Sequence, residues 1–139
     1  LPRGKSFEKP ILALDILPTC LAVAGAKAPN SNHFDGVNLL PYIKRKVKKA
    51  PHENLYWRFG NQWAIRSGKW KLLQSREGRG GSIQMAKVGP TRLYDLEADP
   101  GETNDLMDQK PNHAAKQKKL WDAWDAQLPE PSWFPVPSQ

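Results

Sequence analysis

The sequence of 139 residues holds one cysteine, Cys20, so no intramolecular disulfide framework is possible. Its three histidines, His33, His52 and His113, are scattered and lack the Glu or Cys spacing of a metal site. No apolar run approaches the roughly 18 residues that cross a bilayer, and no signal-peptide pattern is seen. There is no Gly-x-Ser-x-Gly elbow. The GRGG at 78–81 lacks the Lys-Ser/Thr of a phosphate loop and does not join a strand to a helix. Acidic residues are in the minority, 14 against 21 Lys and Arg, for a formal charge of +7. That balance permits an acidic partner (nucleic acid, anionic glycan or an acidic neighbouring domain) without choosing among them.

What is present suffices for a core. Hydrophobic residues make up 39%, with six Trp, although 13 Pro imply much irregular chain. The length fits one domain, or one domain with a remnant of another; the leading Leu1 fits a processed or excised product. The clearest pattern is LYWRFGNQWAIRSGKWKLL at 55–73, followed by a Gly-rich loop and TRLYDL at 91–96. It reads as three short strands in series, a long loop and a fourth strand. Ser67-Gly68 is a candidate two-residue hairpin loop, with Gly supplying the positive φ. That loop sets Arg66 opposite Lys69, Ile65 opposite Trp70, Ala64 opposite Lys71 and Trp63 opposite Leu72. One face then carries Trp63, Ile65, Trp70 and Leu72, and the other carries Ala64, Arg66, Lys69 and Lys71. Opposed Arg66 and Lys69 need an anion nearby. A carboxylate of the same domain, Asp95 or Glu53, is the ordinary answer, and an anionic ligand is the other.

Elsewhere, 11–14 reads as a short buried strand and Asp15 as the N-cap of a helix over 16–24, with Pro18 in its first turn. Leu17, Leu21 and Ala24 share a face, and Gly25 suits its end. The helix is apolar nearly all round and needs cover on several sides, which the rest of the chain hardly offers. Cys20, on this helix, reads as a buried structural thiol rather than a nucleophile. After a polar loop at 28–34 and the turn pair Asp35-Gly36, Pro41 rules out a long helix in the apolar stretch 37–43. The basic run KRKVKK at 44–49 has no interleaved aromatics and leads into Pro51, which favours a solvated surface loop over a nucleic-acid patch. The Gly-rich 76–90 reads as a mobile hairpin tip. Asp99-Pro100-Gly101-Glu102 fits a type II turn. Asn112 can cap a helix running to about Leu128, with Ala114, Gln117, Leu120, Trp121, Trp124 and Leu128 in one stripe and Lys116, Lys118 and Lys119 toward water. Packed on the Trp-rich strand face, that helix completes a two-layer α+β unit. The Pro-rich tail 129–139 reads as extended, anchored by Trp133 and Phe134.

Four segments in order, DILPTCLAVAGA (15–26), DGVNLLPYI (35–43), the 55–73 hairpins and LYDLEADPGETNDL (93–106), resemble the C-terminal part of arylsulfatase-type sulfatases. The style is closest to bacterial enzymes that remove sulfate from carbohydrates. The resemblance implies a small four-stranded antiparallel sheet packed against a C-terminal helix, preceded by a helical remnant of the large α/β sulfatase domain. It divides the chain into 1–43 (the end of that domain), 44–51 (a basic linker), 52–128 (the C-terminal α+β subdomain) and 129–139 (the tail). It also implies that the chain is the last quarter or third of an enzyme. The Cys-x-Pro-Ser-Arg type of motif whose Cys or Ser becomes formylglycine does not occur here; Cys20 is followed by Leu21 and Ala22. Formylglycine and calcium are therefore expected in a missing N-terminal domain, with no cofactor in this chain. On the same basis the isolated chain is inactive, and its site is periplasmic or secreted.

The implied partners are the N-terminal sulfatase domain and a sulfated glycan, with no membrane; self-association through the 16–24 helix is a further option. Arg58, His52 and Gln62 are the polar side chains around the first strand that could meet the glycan, although ordinary surface or ion-pair roles weigh more for each. Two other classes stay open. The Trp content suggests a carbohydrate-binding module, but the Trp residues fall mainly on apolar faces. The charge and KRKVKK suggest a nucleic-acid-binding module, which is disfavoured.

Overall fold

Both tight hairpins of the sheet turn on glycine. In the computed structural model, which describes residues 3–27, 34–76 and 88–129, strands β1 (Asn54–Phe59) and β2 (Gln62–Ser67) are joined by Gly60-Asn61. Strands β2 and β3 (Trp70–Gln74) are joined by Gly68-Lys69. Gly60 and Gly68 have φ of 60° and 59°, and glycine in first place is the order of a II′ turn, whose twist suits antiparallel strands. Strand β4 (Arg92–Asp95) completes an antiparallel sheet in the order β1-β2-β3-β4.

The Gly68-Lys69 loop corrects the expected register. Ile65 lies opposite Leu72, Trp63 opposite Gln74 and Arg66 opposite Lys71. Moving the loop by one residue displaces each partner on β3 by two positions, so every side chain keeps its face. Trp63, Ile65, Trp70 and Leu72 therefore share the face expected of them, with each partner shifted by two positions.

The chain divides into two units, Leu1–Glu53 and Asn54–Gln139. The second holds the sheet and helix α3 (Pro111–Asp125). Trp63, Ile65, Leu72 and Leu93 are buried with Ala114 and Trp121 of α3. Trp63 and Trp121 sit ring to ring at 4.7 Å, Tyr56 stacks on Trp124 at 4.9 Å, and half-buried Trp70 covers His113 at 4.6 Å. The helix begins at Pro111, with Lys110 in the cap position, so Asn112 does not cap it. Proline fits the first turn, where its missing N–H has no helical acceptor in any case. The helix stops at Asp125, and Leu128 is exposed. The turn after β4 closes with Glu102 N–H donating to Asp99 O at 3.2 Å. The residue with positive φ is Glu102 (55°) rather than Gly101, so the turn is not type II. The Asp99 carboxylate accepts from Thr103 N at 2.7 Å and Asn104 N at 2.8 Å. These N–H donors, Asn104 first, hold its pKa below the ordinary 3.8 against the opposing effect of burial. Arg76 and Val88 form an isolated bridge; most of the 76–90 tip, the loop 28–33 and the tail beyond Pro129, with Trp133 and Phe134, lie outside the described residues.

The first unit is organised by Asp15. No strand forms at 11–14; Ala13–Asp15 is a 3-10 turn leading into α1 (Ile16–Ala24). The Asp15 carboxylate makes no capping bond to α1. It accepts instead from Leu12 N at 2.9 Å, which folds the chain back on itself, and from Val37 N at 2.8 Å. Thr19 Oγ1 donates to Asp15 O at 2.6 Å and accepts from Leu39 N at 2.9 Å. Leu39 precedes the one-turn helix α2 (Leu40–Ile43), which carries Pro41 in its first turn. Gly36 is required by contact: a Cβ there would lie 2.0 Å from Leu14 O. Gly36→Ala should therefore destabilise the chain by about 1–3 kcal/mol, read as lost amide protection at Leu12, Val37 and Leu39.

Helix α1 ends as expected at Gly25, φ 67°. None of its residues is buried; Ile16, Leu17 and Val23 are 62%, 53% and 69% exposed. Cys20 is exposed too, which corrects its expected burial. The cover this helix lacks is the cover that a core thiol would need. The basic run 44–49 is exposed apart from Val47.

Candidate functional site

Strand alternation sends a second set of side chains to the sheet face away from α3. Trp57 of β1 lies opposite Ala64 of β2, and Arg66 of β2 lies opposite Lys71 of β3. Leu96, Pro100 and Glu102 from the turn after β4 join these four to line a cavity of about 560 Å³. Two cations on directly opposed positions repel, so the like-charge problem expected at Arg66 and Lys69 occurs at Arg66 and Lys71. Glu102 answers half of it, with Lys71 Nζ at 2.6 Å. Arg66 donates Nε–H to Gly68 O at 3.1 Å, and among the described residues no carboxylate pairs with it. Lys69, at the hairpin end, is matched by Asp95 at 2.6 Å, one of the carboxylates anticipated from the sequence. That bond holds the Asp95 carboxyl below its ordinary range and the Lys69 ammonium above its own.

The three residues singled out from the sequence are each engaged within the chain. Arg58 is on the α3 side, donating Nη1–H to Asp125 at 2.7 Å and Nη2–H to Pro129 O at 2.9 Å, which ties β1 to the end of α3. Gln62 accepts from Arg76 N at 3.0 Å and secures the end of the second hairpin. His52 belongs to the first unit, where Nε2 lies 2.8 and 2.9 Å from the two oxygens of Asp15. Burial works to raise the Asp15 pKa, but the N–H groups of Leu12 and Val37, with His52, outweigh it and hold the carboxyl below 3.8. Arg58 and Gln62 point to opposite faces of the sheet, so they share no cavity. Trp57 and Glu102, which do line one, were missed. The Phe59-Gly60-Asn61-Gln62 turn was the signal for Trp57, because it fixes Trp57 across from Ala64.

The donor sets do not suit a calcium or a formylglycine site. Among the described residues no three His, Cys, Asp or Glu side chains converge as a metal cage requires. Cys20 stands on α1 without a following Pro-Ser-Arg.

The family described as N-sulphoglucosamine sulphohydrolase, C-terminal, matches residues 1–128. Arylsulfatase A of Bos taurus is 33% identical over 112 residues, covering 69% of this chain and 22% of the bovine protein. The crystal structure of Ps i-CgsB in complex with k-i-k-neocarrahexaose is 28% identical, with a TM-score of 0.71 over 98% of this chain and 29% of that one. A structure solved in complex with its substrate D-glucosamine-2-N,6-O-disulfate shares the fold at 19% identity, with a TM-score of 0.59 over 81% of this chain and 23% of the other. The chain thus spans between a fifth and a third of the length of these relatives.

Proposed function

The chain belongs to the N-sulphoglucosamine sulphohydrolase C-terminal family, as the C-terminal part of an arylsulfatase-type sulfatase, and from that premise we propose that it completes a sulfuric ester hydrolase acting on sulfated carbohydrate. The family match across residues 1–128 carries the reading. The substrate class is supported by the family description and by the neocarrahexaose in complex with a relative 28% identical to this chain.

Sulfate-ester cleavage needs a nucleophile, stabilisation of charge on the sulfate oxygens and an acid for the leaving group, held in one site. Nothing among the described residues assembles that set, so an N-terminal domain supplies it, with the formylglycine nucleophile and the calcium that would polarise the sulfate. What this chain contributes is the sheet, a wall of the cleft and the apolar surface of α1. Exposed Ile16, Leu17 and Val23 suit burial against that domain. A basic face can attract a sulfated ligand, but attraction that is equal in ground and transition states accelerates nothing.

The 139-residue chain alone should therefore show no turnover of an aryl sulfate. Turnover should appear when the N-terminal portion is supplied, in one polypeptide or as a complementing fragment. Hydrolysis by the chain alone that vanishes in Cys20→Ala would place the nucleophile here and defeat the reading.

A further inference from the structure

We propose that the cavity on the outer sheet face is a binding site for one monoanionic sugar residue, its ring against Trp57 and its anionic group on Arg66. Charge counting carries the first half. Among the described residues three charged side chains line the cavity, Arg66, Lys71 and Glu102. Lys71 and Glu102 neutralise each other at 2.6 Å, which leaves one positive charge, the Arg66 guanidinium. Its Nε–H is engaged with Gly68 O, and its remaining N–H groups form the planar fork that grips a sulfate or carboxylate with two parallel bonds. Such an anion also relieves the repulsion between the opposed Arg66 and Lys71.

The second half comes from shape. Trp57 is 41% exposed, a large apolar ring left open on a sheet face. Its cross-strand neighbour is Ala64, whose single methyl leaves the space between Trp57 and Arg66 unfilled. Leu96 and Pro100 close the far side with apolar surface. A volume of about 560 Å³ lies within the range of small-ligand pockets. The indole presents a flat apolar face to the C–H side of a pyranose, and the Glu102 carboxylate, which has acceptor sites beyond the one Lys71 uses, can receive ring hydroxyls. The Glu102 backbone is set at positive φ by the turn pinned on Asp99, and its carboxylate is held toward the cavity by Lys71.

Among the described residues the cavity has a single uncompensated cation, and this decides between ligand classes. A sulfate monoester or a uronate carries one negative charge, whereas a phosphate monoester carries roughly 1.5 to 2 at neutral pH. A mononucleotide could stack on Trp57 but would leave charge unmatched. The assignment rests on the geometry of this sheet and not on where the sulfatase nucleophile lies, so the activity experiment and the binding experiment can fail separately.

The test is a titration of the isotopically labelled 139-residue chain, following the Trp57 indole N–H resonance, assigned with Trp57→Phe. Galactose 6-sulfate and galacturonate are the two anionic arms, with galactose, inorganic sulfate and adenosine monophosphate as comparisons. Saturable binding of at least one anionic sugar is expected, with galactose and inorganic sulfate each weaker by about tenfold or more; the arm that binds tighter identifies ester or carboxylate. Arg66→Gln should weaken the anionic sugar by about tenfold or more, the weight of a charge-assisted contact, and leave the thermal midpoint and the galactose signal unchanged. Equal binding of galactose and galactose 6-sulfate would overturn the proposal. So would tighter binding of the nucleotide, inorganic sulfate binding as well as the sulfated sugar, or Arg66→Gln binding like the parent. Should Arg66→Gln unfold the chain, Trp57→Leu, followed through the Ala64 and Arg66 backbone amides, provides the second reading: it should bring sulfated sugar and inorganic sulfate to equal affinity, and a retained preference for the sugar would sink the idea.

Discussion

Trp121→Ala should lower the stability of the sheet-and-helix unit by about 3–5 kcal/mol, the range for removing a large aromatic from a packed core. Trp121 is 8% exposed and lies against Trp63 at 4.7 Å and Trp124 at 6.5 Å. Lys118 lies over both the Trp63 and Trp121 rings, at 5.4 and 5.5 Å, so a cation closes the solvent side of the pair. Trp124, on the same stripe, is only half-buried, stacked on Tyr56 at the edge of the core; its truncation should cost less. The indole N–H of Trp121 is buried without an acceptor among the described residues. Trp121→Phe removes that unpaired donor along with some ring area, and should cost under about 1.5 kcal/mol. Urea unfolding of the three variants measures the order directly. A loss below about 1 kcal/mol for Trp121→Ala would take Trp121 out of the core.

Asp15→Ala should cost the first unit a comparable amount, about 3–5 kcal/mol, because it strips a buried group from several partners at once. Asp15 is fully buried and receives Leu12 N–H, Val37 N–H and His52. Without it, two backbone donors and an imidazole are left facing apolar surroundings. The pH dependence follows from the direction of its shift. Its carboxyl titrates below 3.8 when folded, so the unfolded chain binds the proton first as the pH falls. The stabilisation is complete above about pH 5 and is lost as the pH drops through the folded value. Acid exposure should therefore release amide protection at Leu12 and Val37 in the parent chain. Asp15→Asn, which keeps the shape but not the charge, should start lower and change little over the same range. Parallel acid curves for the two proteins would show that another group governs this region.

The parts of this fold legible in the sequence are those set by periodicity. Trp63, Ile65, Trp70 and Leu72 alternate, so their common face survived a wrong choice of turn residues. Helix α1 was legible because Pro18 and Gly25 bracket an apolar run. Interactions across sequence distance were not. Asp15 looks like a helix cap, and its real partners at Val37 and His52 are 22 and 37 positions away. Gly101 after Pro100 suggests a type II turn, but the Asp99 side chain draws in Thr103 and Asn104 and moves the positive φ to Glu102. The polar residues expected as ligand contacts, Arg58, His52 and Gln62, each make a hydrogen bond within the chain. Trp57, apolar and therefore passed over, lines the cavity. Residue polarity marks a group that needs a partner; it does not say whether the protein already provides one.

The order β1-β2-β3-β4 means that each strand's hydrogen-bonding neighbours are its neighbours in sequence. Two of the three pairings close over loops of two residues, and only β3 to β4 spans a longer stretch, 75–91. Loop closure is the entropic toll on sheet formation, and it rises with the logarithm of the span. The first three strands can zip from two adjacent turns before the one expensive closure is made. Proteins dominated by such local contacts fold faster than those with distant pairings. Among the described residues all four strands lie between 54 and 95, so the sheet can assemble on its own clock, without waiting for a strand from the first unit.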